Sequence, residues 1–381
     1  MPNQIVSNAS LYNWVRDLLL ETYAGYPIKP VLIKTLAMMI TGMLLAPHVQ
    51  LYAIAMCVPL LIKLPSITRR LERFVADDRV QAQRFFAPFI YAMVATLGNE
   101  TAYLIIDCTK VGPKCRTLFI AIAYHWTALP IVWKTYKGKK GHLKGEEHQQ
   151  LMEQIFPYVG HCRRVVILGD AEFSNAPAIN ASQSQQWGFV FRFQSNYQVQ
   201  LETNGPWQSA QAVYEGVGLQ PGQVRHWPLA AFTQAHQHPN LLMTIQWDEG
   251  QDEPLCLISN LVAGDQPQLI YDKRYWVETL FGNCKSRGFQ LDRVLMTDPE
   301  HIDRLILAVA IATCLMLGLG THLIVSNQRD QVDRADRRDL SLFQLGWRWF
   351  YRLLTLNRLE LFKFEFRWDF KLPKAGFRPA S

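Results

Sequence analysis

Apolar residues dominate the first quarter of the chain, in stretches that have the length of helices. Val31–Leu45 and Leu51–Leu64 are largely apolar, with breaks at Pro and Gly, which commonly end helices. Ile67–Phe86 follows and carries several arginines, which either form a solvated helix face or contact phosphate groups. We therefore predict a helical N-terminal domain over residues 1–95, with DNA binding as its expected role.

From Thr101 onward the apolar runs shorten to the length of strands. Three strands are predicted first, followed by helix, strand, helix and strand, an order typical of an α/β layer. The segments are Tyr103–Ile106, Leu118–Tyr124, Leu129–Trp133, His148–Phe156, Arg164–Leu168, Phe173–Gln186 and Trp187–Phe193. Residues 96–194 are therefore predicted to form the first part of an α/β core.

The pattern changes again in the second half of the chain. Residues 195–255 are rich in Gln, Gly, Pro and Trp and predict a small β-rich insertion. Residues 256–330 return to the core, with a strand at Leu255–Asn260 and a long helix from about Lys273. Residues 331–381 form a basic and aromatic C-terminal region, expected to dimerise or to contact DNA.

Two apolar segments admit more than one interpretation. Leu361–Leu372 alternates between aromatic and charged residues, which predicts an extended strand with one apolar face. Leu305–Val325 runs 21 residues without Asp, Glu, Lys or Arg, long enough for either a transmembrane helix or a buried core helix. Gly318, Gly320 and His322 interrupt it, which favours the buried helix.

Composition limits the classes of protein to consider. The 381 residues are 49% hydrophobic and 19% charged, as in ordinary globular proteins and unlike disordered or fibrous chains. The formal net charge of +7 suits a polyanionic partner. The 7 cysteines include no C-x-x-C pair, which counts against a disulfide framework or a zinc site. With no signal peptide evident at the start, we expect a cytoplasmic location.

Two aspartates follow directly on predicted apolar strands. Asp107 follows Tyr103–Ile106, and Asp170 follows Arg164–Leu168 by one glycine. Ligands of α/β sheets gather at the carboxyl ends of strands, and a carboxylate there is costly to bury unless it is paired or bound to a cation. One such aspartate is usually a turn residue, but two together indicate a site. Glu172 is expected to serve the turn or a helix start.

A third polar group lies on the helix predicted from residue 271 to residue 285. At about 100° per residue, the side chains of Tyr271, Arg274, Glu278 and Lys285 fall within an arc of about 60°. One helix face therefore presents a phenol, a guanidinium, a carboxylate and an ammonium group. The alternative is an ordinary surface salt bridge between Arg274 and Glu278.

These residues closely resemble a known family, the DDE transposases of bacterial insertion sequences, and within it the insertion-sequence-four family. The resemblance is carried by Asp107, Asp170 and the spacing Tyr-x2-Arg-x3-Glu-x6-Lys, and it covers about residues 100–325. It implies a ribonuclease-H-like α/β catalytic core, interrupted by the β-rich insertion, in which Asp107, Asp170 and Glu278 meet.

The resemblance also implies the chemistry. The three carboxylates would hold two Mg²⁺ ions, for which Mn²⁺ can substitute, and would catalyse cleavage at insertion-sequence ends and strand transfer through a hairpin intermediate. Tyr271, Arg274 and Lys285 would bind the end phosphate. Trp247 is the first candidate to receive a flipped base, with Trp227 and Trp207 as alternatives.

The expected partners are transposon-end and target DNA and, in the DNA complex, a second copy of the chain, in a prokaryotic cytoplasm at the nucleoid and without a membrane. The basic loop that carries Lys137, Lys139 and Lys140 either contacts phosphates or is simply solvated. Three alternatives remain: a nuclease that only hydrolyses DNA, a silent DNA-binding protein and a small membrane protein. The complete Tyr–Arg–Glu–Lys face favours strand transfer.

Overall fold

The computed structural model describes residues 2–138 and 142–373, and its chain begins with helices. Five helices precede the first strand: α1 (Pro2–Thr22), α2 (Pro30–Leu45), α3 (Leu51–Cys57), α4 (Leu64–Ala76) and α5 (Ala82–Ala95). The arginine-rich segment is not one helix, because α4 ends at Ala76 and α5 starts at Ala82. Arg69 and Arg73 are exposed on α4, whereas Arg70 donates to the Thr35 hydroxyl of α2.

A large mixed sheet follows the helices. Its first part has the predicted order of three strands, helix, strand, helix and strand: β1 (Ala102–Val111), β2 (Cys115–Tyr124), β3 (Thr127–Lys137), α6 (Gly145–Val159), β4 (Val165–Gly169), α7 (Ala176–Ser184) and β5 (Gly188–Arg192). The α/β pattern is confirmed. The helix predicted at Phe173 starts only at Ala176, because a 3₁₀ turn at Ala171–Phe173 precedes it.

Residues 198–259 contain the remaining strands of the described chain. They are β6 (Gln198–Gln200), β7 (Gln208–Ser209), α8 (Ala210–Gly216), β8 (Gln223–Leu229), β9 (Ala231–Phe232), β10 (Leu241–Trp247) and β11 (Leu255–Ser259). The main sheet has the order β3-β2-β1-β4-β5-β11-β10-β8, and a small sheet has the order β7-β6-β9. Within the main sheet, β1, β4 and β5 are parallel to one another.

The last part of the chain is helical and packs the apolar helix in the centre of the protein. It contains α9 (Pro267–Tyr271), α10 (Trp276–Cys284), α11 (Pro299–Val325) and α12 (Leu342–Thr355). α11 is long and apolar enough to cross a membrane, yet its most apolar window is 100% buried inside the protein. In this structure α11 is therefore a buried core helix, the alternative that Gly318, Gly320 and His322 favoured.

Close packing of α11 and α12 depends on glycine. A Cβ atom built on Gly346 of α12 would lie 1.8 Å from the carbonyl oxygen of Met316 in α11. No side chain fits at that distance, so the backbones of the two helices can approach only because residue 346 is glycine. The glycine therefore explains how α12 covers the centre of the protein.

The prediction of a strand at Leu361–Leu372 is wrong, although the alternation of aromatic and charged residues on which it was based is real. No strand is assigned in the described residues of this segment, and it pairs with no sheet. Its aromatic side chains instead pack on other elements: Phe362 on Trp14 of α1, and Trp368 on Tyr124 of β2. A period of two reports which side chains are buried, and an extended segment satisfies it without pairing.

Candidate functional site

The pairing of β1 with β4 brings the two aspartates together. β1 is longer than predicted and continues to Val111 as a hairpin with β2, so Asp107 lies inside the strand and not at its end. The parallel pairing of β1 with β4, however, stops at Ile106 and Gly169. Asp107 and Asp170 are the next residues on strands about 4.8 Å apart, so their carboxylates lie side by side.

A tight turn fixes Asp170 at the end of β4. Asp170 Oδ1 accepts a hydrogen bond of 2.9 Å from the backbone N–H of Glu172, and its carbonyl oxygen accepts one from Phe173. Phe173 folds back on Gly169, where an added Cβ would lie 2.8 Å from the Cβ of Phe173. Gly169 is thus required for the turn that orients the Asp170 carboxylate.

The third segment is not the continuous helix that was predicted. α9 ends at Tyr271, a 3₁₀ turn spans Asp272–Tyr275, and α10 begins at Trp276. A 3₁₀ turn has about three residues per turn instead of 3.6, so it rotates Tyr271 relative to α10. Tyr271 is buried, at 1% exposure, while Glu278 in the first turn of α10 remains largely exposed.

Arg274 connects all three acidic residues. Its Nη2 lies 3.1 Å from Asp107 Oδ2 and 3.5 Å from Asp170 Oδ2, and its Nη1 lies 2.9 Å from Glu278 Oε1. The Arg274 side chain is only 12% exposed. The surface salt bridge between Arg274 and Glu278 therefore exists, but it is one part of a cluster that spans three distant segments. We call Asp107, Asp170, Glu278 and Arg274 the carboxylate cluster.

Burial and neighbouring charges shape the electrostatics of the cluster. Burial raises the pKa of Asp107 to about 6, against the opposing effect of Arg274. Burial lowers the pKa of Arg274, but Asp107 and the other nearby anionic groups outweigh it, and the net shift is upward. Arg274 is therefore a permanent cation beside a carboxyl group that burial makes reluctant to ionise.

Two other predicted residues lie next to the cluster. Lys285 caps the end of α10, and its Nζ donates a hydrogen bond of 2.6 Å to the Thr109 hydroxyl, two residues beyond Asp107 on the same face of β1. Burial lowers the pKa of Lys285 and raises that of Tyr271. The Tyr271 phenol thus lies inside the protein and remains protonated at neutral pH.

The side chain of Glu172 binds three groups, which its expected turn role did not include. Glu172 Oε1 accepts a hydrogen bond of 2.7 Å from the Leu143 N–H and lies 3.4 Å from Nε2 of the buried His148. The other oxygen, Oε2, lies 3.1 Å from His142 Nδ1. Burial would raise the pKa of Glu172, but these donors outweigh it and hold the pKa at about 2. A sequence pattern could not reveal this, because the three groups come from a separate segment, the loop before α6 and the first turns of α6.

Trp247 and Lys137 lie at the same edge of the sheet as the two aspartates. Residue pairing across the sheet, Arg192 with Leu257 and Leu255 with Gln246, shows that β10 ends at the same edge as β4. The two strands are three positions apart in the sheet, so they are separated by roughly 14 Å across it. Trp247 Nε1 donates a hydrogen bond of 2.9 Å to the Gln251 carbonyl oxygen. Lys137 is exposed at the end of β3, whereas Lys139 and Lys140 lie outside the described residues.

A cleft of about 580 Å³ adjoins the turn that holds Asp170. Its walls include Ala171, the exposed Arg192 at the end of β5, and Glu253 before β11. Arg192 was not among the predicted residues. A charged residue at the carboxyl end of a strand parallel to β4 was the signal that could have identified it.

The chemistry of the acidic side chains suits a hard divalent cation, but their present arrangement does not hold one. Carboxylate oxygens are the ligands that Mg²⁺ prefers, and three carboxylates already lie within 3.5 Å of one cationic side chain. Across residues 2–138 and 142–373, however, no three Asp, Glu, His or Cys side chains are placed to bind a metal ion. The Arg274 guanidinium lies between the carboxylates instead.

Comparison with known proteins identifies the region that contains this site. Residues 108–315, more than half of the chain, match the protein family described as "Transposase DDE domain". The matched region begins one residue after Asp107 and contains Asp170 and Glu278. No curated protein sequence is significantly similar to the chain.

Among solved structures, one similar chain belongs to a cryo-EM structure of a piggyBac transposase synaptic complex with hairpin DNA. The sequence identity is 12%, the TM-score is 0.42, and the similarity covers 93% of this chain and 78% of that chain. A TM-score of this size does not establish a common fold.

Proposed function

Because the chain belongs to the family of DDE-domain transposases, we propose that it cuts DNA at the ends of an insertion sequence and joins the freed 3′ ends to target DNA. The reaction comprises hydrolysis of a phosphodiester followed by transesterification. The observation that carries this proposal is the convergence of Asp107, Asp170 and Glu278, from three distant segments, on the single cationic group of Arg274.

Asp107, Asp170 and Glu278 are the residues that would hold divalent cations. Two bound Mg²⁺ ions, or Mn²⁺ in their place, would supply activation of the attacking oxygen and stabilisation of the leaving oxygen. The fully buried Ile105 and Leu168 keep water from the base of the site, which strengthens electrostatic interactions there. Asp107, the most buried of the three acids, would hold cations at the closed end of the site.

Basic side chains around the cluster would bind DNA. Arg274 has a fork suited to a phosphate, and Lys285 adds a point charge that Thr109 holds in place. Tyr271 was expected to bind the phosphate as well; because its phenol is buried and interacts electrostatically with Arg274, we assign it instead the role of positioning Arg274. The exposed Lys137, with the exposed Lys114 in the turn between β1 and β2, forms a basic rim on one side of the site.

The finer assignments belong to the same proposal. We place the chain in the insertion-sequence-four family, with a ribonuclease-H-like core made of residues 96–194 and 256–330 and interrupted by residues 195–255. The strand order β3-β2-β1-β4-β5, with parallel β1, β4 and β5, supports that core. Residues 1–95 and 331–381 would contribute DNA binding and dimerisation, and the protein would act in the cytoplasm.

The direct test is a cleavage reaction on DNA taken from both sides of the reading frame. We expect strand breaks at the inverted repeats and strand-transfer products on a denaturing gel, with Mg²⁺ and not with EDTA. Scrambled repeats serve as the control. Hydrolysis without transfer would favour a plain nuclease, and binding without any cleavage would favour a silent DNA-binding protein.

A hairpin intermediate would require a side chain that captures an unstacked base, and Trp247 is our candidate. It is only partly buried at the edge of the sheet that also holds Asp170. Trp247→Ala should slow hairpin formation about tenfold and the first nick much less. Trp227→Ala is the matched control, because Trp227 lies further from that edge, opposite Met243. Equal slowing of both steps would contradict base capture.

A further inference from the structure

The position of Arg274 raises a question that its expected role at DNA does not answer. The guanidinium occupies the space between Asp107, Asp170 and Glu278, where a divalent cation would need the same oxygen atoms. We propose that Arg274 is the counter-ion of the three carboxylates in the free protein and exchanges them for a DNA phosphate when a divalent cation binds. This inference rests on the proposed function.

The carboxylates need a cation even when no metal ion is bound. Asp107 and Asp170 are neighbours across a parallel strand pair, and the Asp107 side chain is only 11% exposed. Two adjacent carboxylates repel each other, and burial of an unpaired charge is costly. Arg274 relieves both effects by contacting Asp107 Oδ2 and Asp170 Oδ2 with the same nitrogen, Nη2.

Arg274 and a divalent cation cannot share these oxygen atoms. Oxygen ligands lie about 2.0–2.6 Å from Mg²⁺ or Ca²⁺, so a bound ion would lie well within contact distance of a guanidinium hydrogen-bonded to the same atoms. At effective dielectric constants near 20, repulsion between a divalent and a monovalent cation about 4 Å apart costs several kcal/mol. The guanidinium must therefore leave its present position when the metal ion binds.

The surroundings of Arg274 leave space on the solvent side of the cluster into which the guanidinium can move. Glu278 and Asp170, its more exposed partners, have side chains that are 60% and 38% exposed, so the cluster opens toward solvent on their side. The Arg274 Nε–H is buried and has no hydrogen-bond partner among the described residues. A phosphate on the open side could accept from two guanidinium N–H groups at once.

The exchange makes metal and DNA binding cooperative. A DNA phosphate that accepts hydrogen bonds from Arg274 lowers the free-energy cost of moving the guanidinium away from the carboxylates. Conversely, a metal ion bound to the carboxylates releases Arg274 to bind the phosphate. By thermodynamic linkage, each ligand raises the affinity for the other by the same factor, commonly between about 5-fold and 150-fold. The free protein would accordingly bind divalent ions weakly until a DNA end is present.

The test measures Mn²⁺ affinity by the electron paramagnetic resonance signal of free Mn²⁺. The probe is a blunt duplex with 5′ phosphates from the terminal sequence beside the reading frame, corrected for Mn²⁺ bound by the duplex alone. For the unmodified protein we expect the duplex to tighten Mn²⁺ binding about tenfold. Arg274→Gln should bind Mn²⁺ about tenfold more tightly than the unmodified protein without DNA, and the duplex should add nothing.

Two further variants keep the test decisive. Arg274→Lys keeps a cation that can hold the fold together; it should bind Mn²⁺ weakly without DNA and lose most of the gain from the duplex, because a Lys ammonium lacks the fork. Arg287→Gln is the matched control: it removes one positive charge nearby, from a side chain that packs against Gly282 rather than the carboxylates. Its Mn²⁺ affinity should not change.

Asp107→Asn separates the failure of this inference from failure of the proposed function. If Asp107→Asn abolishes Mn²⁺ binding while Arg274→Gln and Arg274→Lys behave like the unmodified protein, the exchange is wrong but the carboxylate site stands. If Asp107→Asn leaves Mn²⁺ binding intact, the carboxylates are not the cation site, and the proposed function and the exchange both fail.

Discussion

Among the residues that the structure describes, two clusters in which a buried acid meets basic side chains can be compared, and they differ in whether they have the properties of an active site. In the carboxylate cluster, Asp107 faces Arg274 at an edge of the main sheet. In the second, Asp303 of α11 lies 3.7 Å from Lys134 of β3, and the adjacent Arg304 binds Asp78. We call Asp303, Arg304, Lys134 and Asp78 the helix joint. Burial raises the pKa of Asp107 to about 6 and that of Asp303 to about 7.

The two arginines use their hydrogen bonds differently. Arg304 donates to the backbone carbonyls of Val75 and Val80 and so fastens α11 to the last turn of α4 and to the connection that follows it. Arg274 binds three carboxylates and no backbone carbonyl among the described residues. A buried acid with a raised pKa is therefore not enough to identify a site. Convergent acids that remain partly exposed at a sheet edge are the more specific sign.

The largest expected effect is loss of catalysis from the carboxylate cluster. Asp107→Asn, Asp170→Asn and Glu278→Gln should each reduce Mg²⁺-dependent cleavage on the order of 10³-fold or more, because each removes an anionic ligand. DNA binding should change little, since no basic group is lost. Cleavage on a denaturing gel and binding by fluorescence anisotropy measure the two effects. Full activity in any of the three variants would remove that residue from the site.

The next effect is on stability and comes from the helix joint. Arg304→Ala should lower the free energy of unfolding by about 3 kcal/mol, because it leaves two backbone carbonyls and a buried site without their donor. Urea unfolding measures this, and the folded fraction should cleave DNA at the normal rate. A large loss of cleavage without loss of stability would show that the two clusters are not distinct in function.

The helix joint should also make stability depend on pH. Because burial raises the pKa of Asp303 from 3.8 to about 7, the folded state holds a proton that the unfolded state releases between these values. The contribution of Asp303 to stability is thus complete below pH 3.8 and is lost as pH rises through about 7. Asp303→Asn stays neutral and should be more stable than the unmodified protein at pH 8, by about 2 kcal/mol.

Urea unfolding at several pH values tests this expectation. The difference between Asp303→Asn and the unmodified protein should shrink toward acid pH and grow toward pH 8. Glu72→Gln is the control, because Glu72 is an exposed acid on α4 outside the helix joint and should leave the slope unchanged. An unaltered slope in Asp303→Asn would contradict the effect of burial on this carboxyl group.

The smallest expected effect is at Glu172. Glu172→Gln keeps the shape but removes the charge that His142, His148 and the Leu143 N–H contact, so stability should fall by about 1 kcal/mol. We expect cleavage to fall severalfold, because the loop beside Asp170 loses its anchor. The exposed Glu146 supplies the control variant Glu146→Gln. If Glu172→Gln and Glu146→Gln have the same stability and the same cleavage rate, Glu172 has no role beyond that of the turn residue expected from sequence.

The parts of the site that were predictable depended on local pattern. Short apolar runs predicted β1 and β4, and an acid just after each run sufficed to expect Asp107 beside Asp170. The length of β1 was not predictable, because its continuation to Val111 is set by pairing with β2. The helix from residue 271 was predicted as continuous because a 3₁₀ turn leaves the apolar period almost unchanged over four residues.

Contacts between distant segments were beyond the sequence. Nothing near Glu172 in the chain indicates that His142 and His148 fold back on it. Asp303 and Arg304 occur in an apolar helix without a motif, and their partners lie in β3, at the end of α4 and in the connection after α4. The aromatic alternation of residues 361–372 did predict a buried face, but not the absence of a pairing strand.

The central claim is that Asp107, Asp170 and Glu278 form one cation site that acts on DNA. The most direct measurement is anomalous X-ray scattering at the manganese edge from crystals grown with a DNA end and Mn²⁺. We predict manganese peaks within bonding distance of the three carboxylates and the Arg274 guanidinium on a phosphate. Peaks only elsewhere, for example at Asp303, or carboxylates still bound to Arg274 with no manganese beside them, would contradict the account.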